Sequence, residues 1–236
     1  MSDLLVITGA AWLAGIAAFS GGSASQLEGS GESERKQELI HGIVAFGGGI
    51  LLAAVAFALT PEGIKVLPTI WLAVSFVSGG VIFCLLDAYI TRKEGNKAQF
   101  MAMLLDFVPE ALALGALFSQ SRESGLLLAL FIGAQNLPEG FNAHRESIAG
   151  GISPKASLMT LLAVSTLGPV CAVAGYFFLS DLKTLNACIM TAAGGGILYL
   201  IFQDIAPQAK LQRHWAPPLG AVLGFGLGMV AHQLLS

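Results

Sequence analysis

Charged residues are scarce in this 236-residue chain. Asp, Glu, Lys and Arg together make up 11% of it, whereas soluble domains carry about 25%. Apolar residues make up 55% of the chain, and its mean hydropathy is +0.74. This composition excludes an ordinary soluble domain and predicts a membrane protein with several spans.

Other features are missing as well. Cys84, Cys171 and Cys188 all lie in apolar runs, which favours small core residues over disulfides or thiolate ligands. The net charge of −3 gives no reason to expect nucleic-acid binding. The chain has no nucleophile motif, nucleotide loop or cofactor fingerprint, so we expect neither an enzyme nor a prosthetic group. It begins Met-Ser-Asp without a basic region, so a cleaved signal peptide is not expected.

Long apolar stretches organise the chain. Each is long enough for a transmembrane helix, which needs about 20 residues. They predict a single polytopic all-α domain over residues 1–236, with a flexible cytoplasmic linker at 22–38. The eight predicted segments are 3–21, 39–60, 67–90, 98–119, 125–145, 155–179, 184–206 and 215–235.

Basic residues set the predicted orientation, because cytoplasmic loops are enriched in Lys and Arg. With the N-terminus outside, nine basic residues fall on the inner side and three on the outer side. An even number of spans then places the C-terminus outside as well. The inner set is Arg35, Lys36, Arg92, Lys93, Lys97, Arg145, Lys155, Lys210 and Arg213, and the outer set is Lys65, Arg122 and Lys183.

Two segments share an internal pattern. Segment 2 contains Gly-Gly-Gly-Ile-Leu at 47–51 and ends at Pro61-Glu62, and segment 7 contains the same run at 194–198 and ends at Pro207-Gln208. The predicted orientation runs these two segments in opposite directions. Such equivalence is typical of inverted-repeat transporters. It predicts repeats of segments 1–3 and 6–8 around the proline-containing segments 4 and 5.

Segments 4 and 5 each carry a proline-glutamate motif. Asp106 precedes Glu110 by four residues, and Gln135 precedes Glu139 by four, so each pair lies on one helical face. Pro109 and Pro138 leave the carbonyls of the preceding turn without an N–H donor. Carboxylates at membrane depth are costly and usually mark an ion or proton pathway.

The run 135–140, Gln-Asn-Leu-Pro-Glu-Gly, resembles the segment 5 motif H/Q-N-x-P-E-G of the ZIP (zinc–iron permease) family of divalent metal transporters. The runs ending in Pro61-Glu62 and in Asp204-Ile-Ala-Pro207 are similar to that family's segments 2 and 7. The resemblance covers nearly the whole chain and identifies it as a divergent member. It implies transport of a divalent cation (zinc, iron or manganese) into the cytoplasm.

The resemblance also implies a set of metal ligands. The first and fifth motif positions bind the transported ion, which implies Gln135 and Glu139 from segment 5 and Glu110 from segment 4. Asp106 stands where segment 4 of the family has histidine. Asn136 occupies the position of a neighbouring second site, and Gln203 and Asp204 correspond to a pair on the exit path.

Several positions depart from the family pattern. Phe107 replaces an asparagine, Ala111 a glycine, and Gly168 a glutamate that precedes a proline; Gln203-Asp204 replaces His-Glu. The segment 3–4 loop, at about 91–97, has no histidine-rich run. The second site therefore loses contributors, so a binuclear centre is not expected.

The remaining cluster of Asp106, Glu110, Gln135 and Glu139 offers only oxygen donors. Such donors suit Mn²⁺, Fe²⁺ or Mg²⁺, whereas zinc usually has nitrogen or sulfur ligands as well. Three carboxylates around one divalent cation leave a charge of −1, and without the ion they leave −3. Closely spaced carboxylates share protons, so we expect an empty site to hold one or two protons that the metal displaces.

Other interpretations stay open. Glu110 and Glu139 could form a structural carboxylate pair, Asp106 could only fill the place of a lost histidine, and Gln203 with Asp204 could be a polar helix end. His144 with its two neighbours is interpreted as an interfacial cluster. The alternative functions are a transport-inactive metal-sensing or scaffold relative and a proton-coupled carrier of another solute.

The expected partners are the divalent cation and the lipid bilayer, with a homodimer left open. The expected location is the plasma membrane, of the bacterial inner-membrane type.

Overall fold

The computed structural model describes residues 2–26, 33–94, 98–119, 121–210 and 214–235. Within these residues the structure is all-helical, which confirms the predicted all-α class. We number the long helices along the chain. They are α1 (Ser2–Gln26), α2 (Glu34–Val66), α3 (Thr69–Glu94), α4 (Ala98–Phe118), α5 (Arg122–Ala149), α6 (Pro154–Phe178), α7 (Lys183–Ala209) and α8 (Ala216–Leu235).

Five of these helices, α1, α2, α3, α6 and α7, are long and apolar enough to cross a membrane. Their apolar faces are widely exposed, as in α3, where Ile70, Trp71 and Val77 are all more than half exposed. Such surfaces indicate an integral membrane protein. The count of eight spans, the orientation of the termini and the repeats stay predictions.

Serine caps begin several helices. Ser33 accepts a hydrogen bond from the Lys36 N–H at the start of α2, and Ser121 accepts one from the Ser124 N–H at the start of α5. With this cap, α2 begins five residues earlier than predicted, and α1 continues to Gln26. Both ends of the predicted 22–38 linker are therefore helical, and its centre, 27–32, lies outside the described residues.

The helices pack into two groups, which we call the first bundle (α1, α4, α5 and α6) and the second bundle (α2, α3, α7 and α8). The closest pairs are α1 with α5 and α4 with α6 in the first bundle, and α2 with α8 and α3 with α7 in the second. If α1 is exchanged with α6, α2 with α7, α3 with α8 and α4 with α5, the same four pairs result. This symmetry is compatible with the inverted repeat, which stays a prediction.

Reciprocal glycines bring each pair together. A Cβ added to Gly21 of α1 would lie 1.9 Å from the Leu137 carbonyl oxygen, and one added to Gly140 of α5 would lie 2.0 Å from that of Ala18. The backbones therefore touch, which is how small residues join helices in membranes. The same reciprocal contact is made by Gly115 with Gly175, by Gly49 with Gly224 and by Gly79 with Gly195.

Two π-helical turns interrupt α2 and α7. They cover Val55–Leu59 and Ile201–Ile205, and each begins six residues before a proline, Pro61 or Pro207. Proline has no N–H and crowds the carbonyl of the preceding turn, and a wider turn relieves this conflict. By contrast, α4 and α5 stay regular α-helices through Pro109 and Pro138. The carbonyls that these prolines leave without an N–H donor therefore do not interrupt either helix.

Candidate metal site

The two proline-glutamate motifs meet where α4 packs against α5 in the first bundle. Gln135 Nε2 of α5 donates a hydrogen bond to Glu110 Oε2 of α4 at 2.7 Å. Both side chains are fully buried. The structure therefore brings together the two predicted ligands from the two motifs, and an amide donor partly compensates the buried carboxylate.

Asp106 and Glu139 lie beside this pair and face a cavity. Asp106 is 4% exposed, and its Oδ1 accepts a hydrogen bond from the Phe107 N–H at 2.8 Å. Glu139 lies within electrostatic range of both Asp106 and Glu110. The cavity has a volume of about 50 Å³, which is enough for an ion and a few waters.

Several buried oxygens of this cluster have no hydrogen-bond donor among the described residues. They are Glu110 Oε1, Gln135 Oε1, and both carboxylate oxygens of Glu139. Buried polar atoms are normally satisfied, and an unsatisfied buried carboxylate is especially costly. These atoms therefore have unused capacity for a cation, for protons or for water.

The four predicted ligands do not form a finished coordination shell. Within the described part of the chain, no group of three or more His, Cys, Asp or Glu side chains is placed to hold one metal ion. One oxygen of Glu110 is already engaged by Gln135. An ion that used all four residues would have to draw them closer than they are in this conformation.

Asn136 is placed apart from the carboxylates. Its Nδ2 donates a hydrogen bond to the Ala14 carbonyl of α1 at 2.9 Å. Gly140, four residues later on the same face, packs against α1 at Ala18. The face of α5 that carries Asn136 is therefore used to join α1 to α5, and the structure does not bring Asn136 together with Glu110 or Glu139.

Apolar packing fills the surroundings of Phe107. A Cβ added to Gly168 of α6 would lie 2.8 Å from Phe107 Cζ and 2.7 Å from the Ala11 carbonyl oxygen. Phe107 and Gly168, two of the departures from the family pattern, are thus linked. The phenyl ring of Phe107 occupies the space that a side chain at position 168 would need. The absence of a binuclear centre stays a prediction.

Asp204 and Gln203 of α7 point to different surroundings. Asp204 is half-buried and lines the same cavity as Asp106 and Glu139. Gln203 is exposed and lines a shallow surface depression beside Tyr199 and Phe202. Of the predicted exit pair, the structure therefore places only Asp204 at the cavity.

Sequence reasoning missed three polar or sulfur-bearing residues that also line the cavity, Met103, Asn142 and Gln208. A helical-spacing signal could have found two of them. Met103 precedes Asp106 by one turn on α4, and Asn142 follows Glu139 by one turn on α5. Gln208 also follows Asp204 by about one turn, four residues later on α7, but a single sequence does not show that α7 faces α5.

His144 was interpreted as part of an interfacial cluster, and its level in the membrane stays a prediction, but the structure shows that it packs between two helices. The side chain is fully buried, and its Nδ1 lies 2.8 Å from Ser157 Oγ of α6. Its Nε2 has no partner among the described residues. His144 therefore belongs to the contact between α5 and α6, on a face of α5 other than the one that lines the cavity.

Comparison with known proteins gives a partial match. No family model matches the chain. It is 36% identical over 139 residues to a curated protein named zinc transporter GufA, from Myxococcus xanthus. The match covers 57% of this chain and 54% of GufA, so the chain spans about half the length of the relative it matches. A protein named as a zinc transporter is thus among those to which this chain is similar.

Proposed function

We propose that this protein carries a divalent metal cation across a membrane through a site between α4 and α5, with Asp106, Glu110, Gln135 and Glu139 as ligands. The observation that carries the proposal is the set of buried oxygens that find no donor among the described residues, above all both carboxylate oxygens of Glu139. A divalent cation would satisfy several of these atoms at once. Its charge would also offset most of the charge of three buried carboxylates.

Gln135 has a double role in this proposal. Its amide nitrogen holds Glu110, and its free Oε1 is an additional acceptor next to the carboxylates. When a cation approaches, Glu110 and Glu139 move toward it, and Gln135 follows through its hydrogen bond. In the empty state, protons replace the cation on the carboxylates, because close buried carboxylates do not all ionise. Transport is therefore linked to protons.

The donor set bears on which ion is carried. Four oxygen ligands favour Mn²⁺ or Fe²⁺, and Met103 adds a thioether at the cavity wall, a softer donor that suits zinc better. The name of the similar protein points to zinc. We therefore rank zinc first, with iron and manganese as the alternatives.

The two bundles suggest how the ion would cross. All four proposed ligands belong to the first bundle, and two of them, Asp106 and Glu139, line the cavity. Val44, Gly47 and Asp204 on its opposite wall belong to the second bundle. Movement of one bundle against the other would expose the ligands to each side in turn. With the termini outside, Asp204 lies on the way to the cytoplasm, and uptake into the cell is the proposed direction. The proposed location is the plasma membrane, with the bilayer as partner and a homodimer as one proposed assembly.

A second candidate is a ZIP-type relative that senses metal or organises partners without transporting. The packing of Phe107 against Gly168 favours it, because apolar atoms fill a place where the family has polar residues. Metal binding would persist in such a protein, but flux would be absent. A proton-coupled carrier of another solute is the third candidate.

Uptake into proteoliposomes separates these functions. Purified protein is reconstituted, and accumulation of Zn²⁺, Mn²⁺ and Fe²⁺ is followed with an internal chelating dye, with protein-free vesicles as the control. The transporter proposal expects saturable uptake of at least one of the three ions. Binding without uptake would support the sensing relative, and neither binding nor uptake would leave the carrier of another solute.

A further inference from the structure

A hydrogen bond joins the two bundles beside the cavity. Asn142 Nδ2 of α5, in the first bundle, donates to Gln208 Oε1 of α7, in the second bundle, at 2.7 Å. Asn142 is 9% exposed, and both residues line the cavity. The bond therefore lies in a shielded place where the two halves of the molecule face each other.

Asn142 is held in the orientation that this bond requires. The same Nδ2 also donates to Glu146 Oε1, one turn further along α5, at 3.0 Å. A primary amide has two N–H groups. One is directed along its own helix and the other across the interface, so Glu146 fixes the side chain that reaches Gln208.

Gln208 is anchored on the other side. The backbone carbonyl oxygen of Gln208 lies 2.5 Å from Nδ1 of His41 on α2, which also belongs to the second bundle. Gln208 directly follows Pro207 and lies in the short helical turn after the π segment of α7. The four residues Glu146, Asn142, Gln208 and His41 thus form a polar chain across three helices and both bundles.

The polar chain of these four residues lies one helical turn beyond the carboxylates. Asn142 follows Glu139 by one turn of α5, and Gln208 follows Asp204 by one turn of α7. Both helices run toward the end of the bundle that is predicted to be cytoplasmic. Asn142 and Gln208 therefore lie between the carboxylates and that end, where an ion leaving Glu139 in this direction would meet them.

We propose that the Asn142–Gln208 hydrogen bond is a latch that holds the two bundles together at the inner end of the cavity, and that it must break for the cavity to open there. This inference rests on the proposed movement of the bundles. One hydrogen bond changes an equilibrium by a modest factor, so the latch biases the molecule toward the closed mouth without locking it.

The test measures access to the cavity without metal. Cys84, Cys171 and Cys188 are replaced by serine, and Val44→Cys, a buried position on the cavity wall, becomes the reporter. Its alkylation by a small water-soluble thiol reagent is timed in purified, metal-free protein. Gln208→Met keeps the length of the side chain but removes the acceptor, and Gln203→Met is the matched control on the same helix, away from the cavity.

The latch predicts that Gln208→Met raises the alkylation rate by about 2- to 10-fold, the factor expected for one lost hydrogen bond. Asn142→Leu should raise it similarly, and the double variant should add little to either single change. Gln203→Met should leave the rate unchanged. Equal rates in all variants, or fully additive increases, would overturn the latch. Because no metal is present, that result would leave the transport proposal standing.

Discussion

The ring of Phe107 lies against Gly168, so that a Cβ at position 168 would sit 2.8 Å from Phe107 Cζ. The contact joins α4 to α6 inside the first bundle. Phe107 and Gly168 are two departures from the family pattern that lie far apart in the sequence but touch in the structure. A bulky residue on one helix is accommodated by the absence of a side chain on the other.

The first prediction tests this dependence. Gly168→Ala should lower the free energy of unfolding by about 1–3 kcal/mol, because the new methyl group overpacks against Phe107 and the Ala11 carbonyl. Phe107→Leu in the same chain should relieve part of the clash, so the double variant should lose less stability than the sum of the single changes. The measurement is thermal unfolding in detergent.

Gly9→Ala is the matched control on α1, since a Cβ there meets nothing within 4 Å. It should be neutral or slightly stabilising. Strict additivity of the two changes at Phe107 and Gly168 would mean that they do not share one space.

A second prediction concerns the carboxylates. Glu110→Gln and Glu139→Gln preserve the shape of the side chain but remove its charge. Each should abolish metal uptake into proteoliposomes, because a neutral amide cannot offset the charge of a dehydrated divalent cation. Glu123→Gln, in the first turn of α5 and away from the cavity, should transport normally. Uptake at the wild-type rate in the Glu110 or the Glu139 variant, at equal reconstituted amounts, would remove that residue from the pathway.

Selectivity provides a third prediction. Asp106→His introduces a nitrogen ligand and removes one negative charge, so it should shift preference toward Zn²⁺ over Mn²⁺. Asp106→Asn removes the charge without adding the nitrogen and therefore separates the two effects. Competition among Zn²⁺, Mn²⁺ and Fe²⁺ is measured in all three proteins. The same selectivity order in each would mean that Asp106 does not touch the ion.

The sequence predicts the helices of this molecule more completely than it predicts the contacts of the candidate site. Segment lengths place all eight helices, because long apolar runs leave few alternatives. Helix ends were less certain, as the Ser33 cap of α2 illustrates. The glycine run at 47–49 was interpreted only as a repeat signal. In the structure its glycines approach three different helices, at Pro138, Ile205 and Ala221.

Within the site, the i, i+4 spacing predicts that each motif presents its polar pair on one helical face, and in the structure the two motifs meet through the Gln135–Glu110 hydrogen bond. The role of these residues as metal ligands stays a prediction. Spacing along one helix could not show that Asn136 bonds to α1 or that His144 is buried against α6. Those outcomes depend on which helix covers which face, and a single sequence does not contain that information. Gln208 was missed for the same reason.

The fourth prediction concerns protons. Carboxylates must lose their protons to bind a metal, so apparent affinity should weaken as pH falls from about 7.5 to about 5.5, and binding should release protons. Asp106→Asn should flatten this dependence by removing one titrating member of the cluster. Affinity is measured against pH, and proton release is followed in weakly buffered detergent solution. Constant affinity without proton release would contradict shared protons at this site.

The most direct measurement of the central claim is anomalous scattering from crystals soaked with Zn²⁺ or Mn²⁺, since it reports the identity, position and ligands of the ion together. The account predicts a peak at the site between α4 and α5, beside the cavity that Asp106 and Glu139 line. Glu110 and Glu139 should be ligands, and the Gln135–Glu110 hydrogen bond should be rearranged around the ion. A peak only elsewhere on the molecule, or an empty cavity at saturating metal, would contradict it.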